Sequence, residues 1–197
     1  YDAFRQPKYA YEMFRSQSPA HLNHPTAESG PMVYIAHEMS PFSDTDVVVF
    51  SNCDSVRLSV YDGTKSWVLP VVHAKGHMPN APLVFKNVWD FWEARELSYK
   101  QKNWQKVNMV AEGIIGGKVV CTTKRMPSRR STKLRLKLDT EGKQLVADGS
   151  DFIVVVAEVT DDSGNVRRLA KENIVFSIEG EGEIIGDASI HANPRPV

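Results

Sequence analysis

The stretch VVVFSNCDSVRLSVYDG, residues 47–63, decides the fold class of this chain. It holds two short runs rich in β-branched residues, and the second run alternates. Val56, Leu58 and Val60 share one face of an extended strand, because successive side chains point to opposite faces; the other face carries Arg57, Ser59 and Tyr61. Asp62-Gly63 follows, and glycine supplies the positive φ of a tight hairpin turn. The stretch predicts two antiparallel strands, the second with one buried face.

Similar runs continue on both sides of this stretch, separated by turn residues such as Gly116-Gly117. About seven strands are expected between residues 32 and 126, at a spacing of roughly 8–12 residues, which is typical of a β-sandwich. An immunoglobulin-like sandwich contains about this number of strands. Residues 32–127 are therefore predicted to form one immunoglobulin-like β-sandwich.

A long, charged and aromatic segment, residues 87–106 (NVWDFWEARELSYKQKNWQK), interrupts this rhythm. It fits either a short helix inserted between strands or a long excursion of a hairpin, and long insertions often carry a function. Flat aromatic faces stack on sugar rings, so Trp89, Trp92 and Trp104 are candidate substrate-binding residues. The alternative, which we favour, is that Trp89 and Trp92 form one packing face that anchors the insertion on its sandwich or on a neighbouring domain.

The N-terminal residues predict one short helix from about Arg5 to Gln17. A stripe recurs there at three- and four-residue spacing, carried by Ala10, Met13, Phe14 and Gln17. Ser18-Pro19 ends the helix, because the residue before a proline disfavours helical backbone. A helix this short needs a packing partner. Residues 1–19 are thus predicted to be a helical segment, and residues 20–31, rich in Pro, Ser, Gly and His, a linker.

A second β pattern begins after a linker-like segment, MPSRRST, at residues 126–132. In KLRLKLD (133–139) the three leucines share one face, and further short strands are expected downstream. An immunoglobulin-like sandwich needs about seven strands, and we count four or five here. Residues 131–197 are therefore predicted to form a second, incomplete sandwich. The predicted fold class is mainly β, with two immunoglobulin-like modules in tandem after one short N-terminal helix.

The composition argues against two classes of partner. The 24 Lys and Arg residues balance the 24 Asp and Glu residues, so the net charge gives no reason to expect nucleic acid or an anionic membrane surface. No apolar run reaches the ~18 residues that a transmembrane helix requires. We therefore expect neither a nucleic-acid partner nor a membrane partner.

The sequence contains no catalytic motif that we can identify. The Asp and Glu residues lie mainly in turns or on outward strand positions, and none has the apolar surroundings that raise the pKa of a general acid. There is neither a G-x-S-x-G nucleophile motif nor a glycine-rich phosphate loop that precedes a helix. We therefore expect no catalytic residue within this chain.

Metal and cofactor sites are not expected either. The histidines considered are His21, His24 and His37 near the linker, and His73 and His77 four residues apart. A zinc site would need a third ligand at a suitable spacing, and none is present. The acidic turn DDSGN (161–165) lacks the rest of a calcium-binding loop. Surface histidines and a hairpin turn account for both patterns.

The two cysteines, Cys53 and Cys121, leave two interpretations open. They form no C-x-x-C pair, and two cysteines are too few for a disulfide framework. A single bridge between them would fit an oxidising compartment. We favour the other interpretation, in which both cysteines are half-buried free thiols on strands, because free cysteine is commonly buried. The cysteines therefore do not decide the compartment.

Four stretches of the chain resemble, in order, the C-terminal region of the multidomain bacterial β-galactosidases of glycoside hydrolase family 2. The opening YDAFRQPKYAYEMFRSQ looks like the segment that closes the catalytic barrel, with matches at Phe4, Arg5, Pro7, Lys8, Ser16 and Gln17. The stretch that decides the fold class is similar to the family's strand pair V-x-V-x-S-N-C-x-x-V-x-L, read at Val47, Val49, Ser51, Asn52, Cys53, Val56 and Leu58.

The other two stretches lie further along the chain. MVAEGIIGGKVVCTT resembles the family's hairpin A-x-G-x-x-x-G-K-V-V. LVADGSDFIVVVAEVTDDSGNVRR and FSIEGEGEIIG look like the last immunoglobulin-like domain of the same enzymes, whose A-D-G-x-D entry is read at Ala147, Asp148, Gly149 and Asp151. The resemblance covers nearly the whole chain in the family's order, which makes it specific.

The resemblance implies that the intact parent is a retaining glycoside hydrolase that cleaves terminal β-galactosides, or a close relative such as a β-glucuronidase. Retaining enzymes use two carboxyl groups about 5 Å apart. In this family both lie in the barrel, and no residue here matches either motif. The implied role of this chain is that of non-catalytic accessory domains that brace the barrel. The implied partners are the barrel and N-terminal domains of the same chain and the carbohydrate substrate of the parent.

The resemblance also implies a periplasmic or secreted bacterial protein. The opening residues lack the apolar centre of a signal peptide, and their abrupt start is that expected of a segment cut from a longer protein. One departure concerns residues 87–106, which are longer and richer in Trp than the family's usual connection. This departure leaves the sugar open. It also keeps an alternative function, a carbohydrate-binding or adhesive β-sandwich module that uses exposed tryptophans.

Overall fold

The parts of the chain that the computed structural model describes are residues 7–25, 27–73, 78–140, 144–167 and 170–191. Phe4, Arg5 and His77, named above, lie outside these ranges. The chain divides into two compact units, Tyr1–Pro127 (unit 1) and Ser128–Val197 (unit 2). Strands dominate, and the predicted mainly β fold class is confirmed. Among the described residues, no helix combines the length and the apolar content that a membrane crossing demands.

Helix α1 spans Tyr9–Arg15, which is shorter than the predicted range of about 5–17. At its C-terminal end, the Ser16 hydroxyl and the Gln17 side-chain amide both donate hydrogen bonds to the carbonyl oxygen of Met13, at 2.7 and 3.2 Å. Such side-chain bonds compete with the regular backbone pattern of a helix. The helix therefore ends before the Ser-Pro pair that was expected to stop it.

The insertion at residues 87–106 holds a second short helix, α2 (Phe91–Arg95). It continues into one π-helical turn at Glu96–Lys100, and a 3₁₀ turn follows at Trp104–Lys106. The side chain of Asp90 caps α2 by accepting hydrogen bonds from two backbone N–H groups of its first turn. Of the two predicted forms of the insertion, the inserted helix is the one observed.

Within the described residues, unit 1 contains seven strands in two antiparallel sheets, in agreement with the strand count predicted for residues 32–126. They are β1 (Val33–Ala36), β2 (Val47–Ser51), β3 (Ser55–Val60), β4 (Lys65–Pro70), β5 (Leu83–Phe85), β6 (Met109–Ile115) and β7 (Lys118–Arg125). One sheet has the order β1-β2-β5 and the other β4-β3-β6-β7. The β6–β7 hairpin turns at Gly116 and Gly117, whose φ angles of 56° and 77° suit a tight two-residue turn.

The core of unit 1 joins side chains from both sheets. Val56, Leu58 and Val60 of β3 are fully buried, as their alternation predicted, and they cluster with Val47 and Val49 of β2. Full burial of one such side chain stabilises the fold by about 1.5–3 kcal/mol relative to exposure. The strands β2 and β3 therefore form the framework on which the insertion and α1 are positioned.

Unit 2 contains four described strands in two antiparallel pairs. These are β8 (Lys133–Asp139) with β9 (Val154–Thr160), and β10 (Asn173–Val175) with β11 (Ser189–His191). Its buried apolar cluster consists of Val159, Ala170 and Ile174. The three leucines of β8, in contrast, are 59%, 63% and 64% exposed.

Candidate functional site

The three candidate tryptophans of the insertion lie in three different environments. Trp89 is 3% exposed, Trp104 is half-buried, and Trp92 is 68% exposed. A side chain buried like Trp89 offers no face to a sugar ring, so the structure removes Trp89 from the predicted platform. The favoured alternative is right for Trp89, which packs against the sandwich, and wrong for Trp92, which is too exposed to share one packing face with it.

Trp89 anchors the start of the insertion in the core of unit 1. Its ring centroid lies 6.3 Å from that of Tyr61, and it meets His37 edge to face at 5.7 Å. The indole N–H of Trp89 donates a hydrogen bond to the carbonyl oxygen of Ser40 at 3.3 Å. The Tyr61 hydroxyl donates to the carbonyl oxygen of Asp90 at 2.9 Å. These contacts set the position from which α2 leaves the sandwich.

Tyr61 is 2% exposed, although the alternation placed it on the outward face of its strand. The strand β3 ends at Val60, and Tyr61 and Asp62 have φ angles of 51° and 59°, in the left-handed region. The change in backbone conformation turns the Tyr61 side chain inward. Burial raises the pKa of Tyr61 to about 12, so the phenol stays protonated and keeps its hydrogen bond at neutral pH.

Trp92 presents an aromatic face on the surface of α2. The ring of Phe91 meets it edge to face at 5.5 Å, and the Arg95 guanidinium lies 5.6 Å from its centroid. A shallow depression beside it is lined by Leu97, Gln101 and three carboxylates, those of Asp90, Glu93 and Glu96. An exposed aromatic ring next to hydrogen-bond acceptors can stack on a sugar and accept hydrogen bonds from its hydroxyl groups.

The carboxylates of this depression are held by other contacts. Asp90 accepts hydrogen bonds from the backbone N–H groups of Trp92 and Glu93, at 2.8 and 3.3 Å. Glu93 pairs with Lys65 of β4 at 2.6 Å. The depression is therefore a fixed part of the surface of unit 1, with its position set by the sandwich below it.

Side-chain amides fasten the C-terminal end of α1 to the sandwich of unit 1. The Gln17 amide nitrogen donates to the carbonyl oxygen of Asn80, and its amide oxygen accepts from the backbone N–H of Asn80, both at 2.9 Å. The Asn80 side chain donates to the carbonyl oxygen of Ser16 at 2.6 Å, and its oxygen bonds to His73 Nδ1 at 2.7 Å. Asn80 and Ser16 are buried, so loss of one partner would leave the other unsatisfied.

Asn52 holds the segment that follows α1. Its side-chain nitrogen donates to the carbonyl oxygens of Ser18 and Gly30, both at 3.0 Å, and its oxygen accepts from the backbone N–H of Met32 at 2.8 Å. The predicted linker is thus fixed at both ends. Asn52 belongs to the S-N-C motif, but its role as a tether could not be predicted, because that role depends on the burial of its amide beside the end of β2.

The N-terminal end of α1 is held by charged and aromatic groups. Arg125 of β7 pairs with Glu38 at 3.0 Å and donates to the Tyr9 hydroxyl at 3.1 Å, and Tyr9 donates to Glu38. The rings of Tyr9 and Tyr34 meet edge to face at 5.9 Å. The pKa of Tyr9 is raised, mainly by burial and secondly by the hydrogen bond to Glu38. The helix is therefore docked on unit 1 along its length.

One carboxyl group departs from the sequence-based expectation. Burial raises the pKa of Glu12 on α1, although Arg15 counteracts this by pairing with it at 3.4 Å. The same arginine contacts Glu28 at 3.4 Å. The expectation that no carboxyl group has a raised pKa is therefore wrong for Glu12, whose contacts are those of a group that positions α1.

The histidines that the structure describes are not gathered into a metal site. Within the ranges that the structure describes, no three His, Cys, Asp or Glu side chains lie where they could hold one ion together. His37 is buried, so the expectation of a surface histidine is wrong for it. Both ring nitrogens are satisfied: Nε2 donates to the carbonyl oxygen of Asp44 at 2.8 Å, and Nδ1 accepts from the N–H of Met39 at 3.1 Å. Burial lowers the pKa of His37, which keeps the ring neutral.

Comparison with known proteins identifies the relatives of the chain. Residues 136–195 match the family model of glycoside hydrolase family 2 C-terminal domain 5. The chain is 31% identical to a β-galactosidase of Thermoanaerobacter pseudethanolicus over 190 residues, which cover 94% of this chain and 24% of that protein. It is 28% identical to a β-glucuronidase of Formosa agariphila over 187 residues, which cover 91% of this chain and 16% of that protein.

A solved structure of a β-glucuronidase from glycoside hydrolase family 2 shows a similar fold. The TM-score is 0.59 at 24% identity, and the match covers 89% of this chain and 16% of the other. The chain spans a quarter or less of the length of the curated relatives named here. The predicted resemblance to family 2 glycoside hydrolases is confirmed.

Proposed function

We propose that this chain is a non-catalytic accessory region of a larger family 2 glycoside hydrolase, in which it braces the catalytic barrel. The observation that carries the proposal is the two-sided character of α1. Ser16 and Gln17 fasten one side to unit 1, whereas Phe14 on the same helix is 69% exposed. An exposed aromatic side chain on a fixed helix is suited to packing against a neighbouring domain. The greater length of the relatives supports the presence of such a domain.

The test is a Phe14→Ala substitution in the intact parent enzyme. A brace predicts a several-fold shorter half-life of activity at elevated temperature, with KM and kcat unchanged at 25 °C. The isolated chain should barely lose stability, because Phe14 is mostly exposed there. Phe42→Ala is the matched control, since Phe42 is 96% exposed in the loop between β1 and β2. An unchanged half-life in the intact Phe14→Ala enzyme would contradict the brace.

We further propose that the parent cleaves terminal β-galactosides with retention of configuration. The resemblance and the relative from Thermoanaerobacter pseudethanolicus support this substrate, and the relative from Formosa agariphila makes β-glucuronides the competing one. Chromogenic β-galactoside and β-glucuronide substrates would separate the two, and NMR of the first product would give its anomeric configuration. Cleavage of the glucuronide alone, or a product of inverted anomeric configuration, would contradict this proposal. Neither result would bear on the proposal that the chain braces the barrel.

A periplasmic or secreted location is proposed on the resemblance alone. Fractionation of the source cells should then place the parent's activity in the periplasm or the medium, together with a periplasmic marker enzyme. Activity that follows a cytosolic marker would contradict this location.

The exposed face of Trp92 favours a second candidate function, a sugar-binding surface. Trp104, which is half-buried, lines no part of the depression beside Trp92. Tryptophan fluorescence of the chain, titrated with galactose, lactose and a panel of oligosaccharides, should then change in a saturable way, and Trp92→Ala should abolish the change. Tyr99→Ala is the matched control, because Tyr99 is 79% exposed in the same insertion and lines no part of the depression. Unchanged fluorescence with every sugar would contradict the sugar-binding surface, and the bracing role would then be the remaining proposal.

A further inference from the structure

Cys53 and Cys121 are brought together although 68 positions separate them in the chain. Their sulfur atoms lie 3.7 Å apart, and both are free thiols. Cys53 lies just before β3, and Cys121 lies within β7. The strand β6 runs between β3 and β7 in the sheet. The two sulfur atoms therefore meet across an intervening strand, an approach that ordinary side chains on that strand would block.

Gly113 of β6 makes this approach feasible. It is paired with Cys121 of β7 and with Val56 of β3. A Cβ atom at this position would lie 2.5 Å from the sulfur of Cys53 and 2.6 Å from that of Cys121. Both distances are far below a carbon–sulfur contact, so the sulfur atoms occupy the space that any other residue would fill. The juxtaposition is thus specific to a glycine here.

The surroundings favour a thiolate within the pair. The hydrogen bond from Cys121 lowers the pKa of Cys53 to about 7, against the opposing effect of burial and with help from the Ser51 hydroxyl. The same hydrogen bond, followed by burial, raises the pKa of Cys121. As the pH rises above about 7, Cys53 therefore becomes a thiolate, while Cys121 keeps its proton. A thiolate next to a second sulfur is the reactive form in thiol–disulfide exchange.

We propose that Cys53 and Cys121 are a redox-active pair, which a small disulfide such as oxidised glutathione converts into a disulfide bridge over Gly113. Closure shortens the 3.7 Å sulfur–sulfur distance to the bonded length of about 2 Å. Cys53 is fully buried and Cys121 is partly exposed, so the small disulfide reaches Cys121 first.

The exchange proceeds in two balanced steps. The Cys53 thiolate takes the proton of Cys121 as the Cys121 sulfur attacks one glutathione sulfur. A mixed disulfide forms on Cys121, and the other glutathione leaves as a thiolate, which takes this proton from Cys53. The Cys53 thiolate then attacks the Cys121 sulfur and releases the second glutathione. The protein loses two electrons and two protons, the glutathione disulfide gains them, and two glutathione thiols result.

The experiment incubates the reduced full chain with oxidised glutathione, followed by thiol counting in denaturant and intact-mass measurement. Both thiols should disappear, with a mass loss of about 2 Da for the two hydrogens and no retained adduct. The rate should rise as the pH passes about 7, the pKa of Cys53. The melting temperature of the oxidised chain should exceed that of the reduced chain by roughly 5–10 °C, because the bridge closes a long loop.

Two variants separate the proposal from simple thiol reactivity. Cys53→Ser should hold glutathione on Cys121 as a stable adduct, since the resolving thiol is gone. Gly113→Ala should retain both thiols or stop at the glutathione adduct. This holds provided that its circular dichroism spectrum matches that of the unaltered chain. Three outcomes with the unaltered chain would overturn the proposal: both thiols persist, a glutathione adduct remains stable, or a disulfide-linked dimer forms.

Discussion

The strands β3 in unit 1 and β8 in unit 2 both alternate apolar and polar residues, but their apolar faces differ in burial. In β3, Val56, Leu58 and Val60 alternate with outward residues and are fully buried. In β8 the leucines alternate just as regularly, and the one at its centre, Leu136, is 63% exposed. The comparison teaches that alternation determines which residues share a face, whereas burial depends on what packs against that face.

The difference arises from the number of elements that meet each strand. In unit 1, β3 lies inside a four-stranded sheet, and side chains of the other sheet join its core cluster. In unit 2, β8 pairs with β9 alone within the described residues. A two-stranded ribbon is marginally stable by itself. Unit 1 should therefore resist unfolding more strongly than unit 2.

The largest expected effect is that of shortening a buried leucine. Leu58→Ala should lower the free energy of unfolding of unit 1 by about 2–5 kcal/mol, because it leaves a cavity in a packed core. Leu136→Ala, the matched change in β8, should lower that of unit 2 by less than about 1 kcal/mol, because most of the side chain is already in water. Urea titration with hydrogen exchange read by mass spectrometry reports each unit separately. Equal costs would show that β8 is covered in solution.

The second effect concerns Asp161, the one carboxylate that is fully buried among the described residues of unit 2. Asp161 accepts hydrogen bonds from the backbone N–H groups of Arg129, Ser163 and Asn165, at 3.0, 2.9 and 3.0 Å. Burial is the largest single influence and would raise its pKa, but these bonds together outweigh it and hold the pKa below the usual value. The stabilisation is therefore present above the unfolded pKa of about 4 and is lost as the pH falls through the lower folded pKa.

Asp161→Asn should cost unit 2 about 1–3 kcal/mol at pH 7, because a charged acceptor is replaced by a neutral one in a buried network. It should also flatten the decline of stability between pH 4 and pH 2. Hydrogen exchange of β9 in urea, repeated across this pH range, measures both effects. Unit 1 in the same sample is the internal control. An unchanged acid decline in the variant would assign that decline to other carboxyl groups.

The smallest effect compares the outward faces of the two strands. Glu158 of β9 pairs with Arg135 and Lys137 of β8, each at 2.6 Å, whereas Glu112 of β6 pairs with Arg57 of β3 at 2.6 Å. Glu158→Gln should cost roughly 0.5–1 kcal/mol at low salt and less at high salt, since it removes two ion pairs. Glu112→Gln should have a smaller effect. A larger loss for Glu112→Gln would reverse this ranking.

The features that could be predicted from the sequence are those with local causes. The strands of unit 1 and the turn at Gly116-Gly117 follow from alternation and glycine. The position of Trp89 could not be predicted, because its burial depends on Tyr61, which a left-handed backbone turns inward after β3. The meeting of Cys53 with Cys121 depends on register across three strands and on Gly113 between them. Such relations are set by the tertiary fold.

The basic residues that alternate with the leucines of β8 determine how the protein behaves in concentrated solution. Copies that stacked through this strand would bring Lys133, Arg135 and Lys137 within about 5 Å of their counterparts. Repulsion between like charges resists such cross-β assembly. Salt weakens this protection, because the screening length falls from about 10 Å at 0.1 M to about 3 Å at 1 M. Charge, rather than packing, therefore opposes association through the leucine row, and added salt should weaken this opposition.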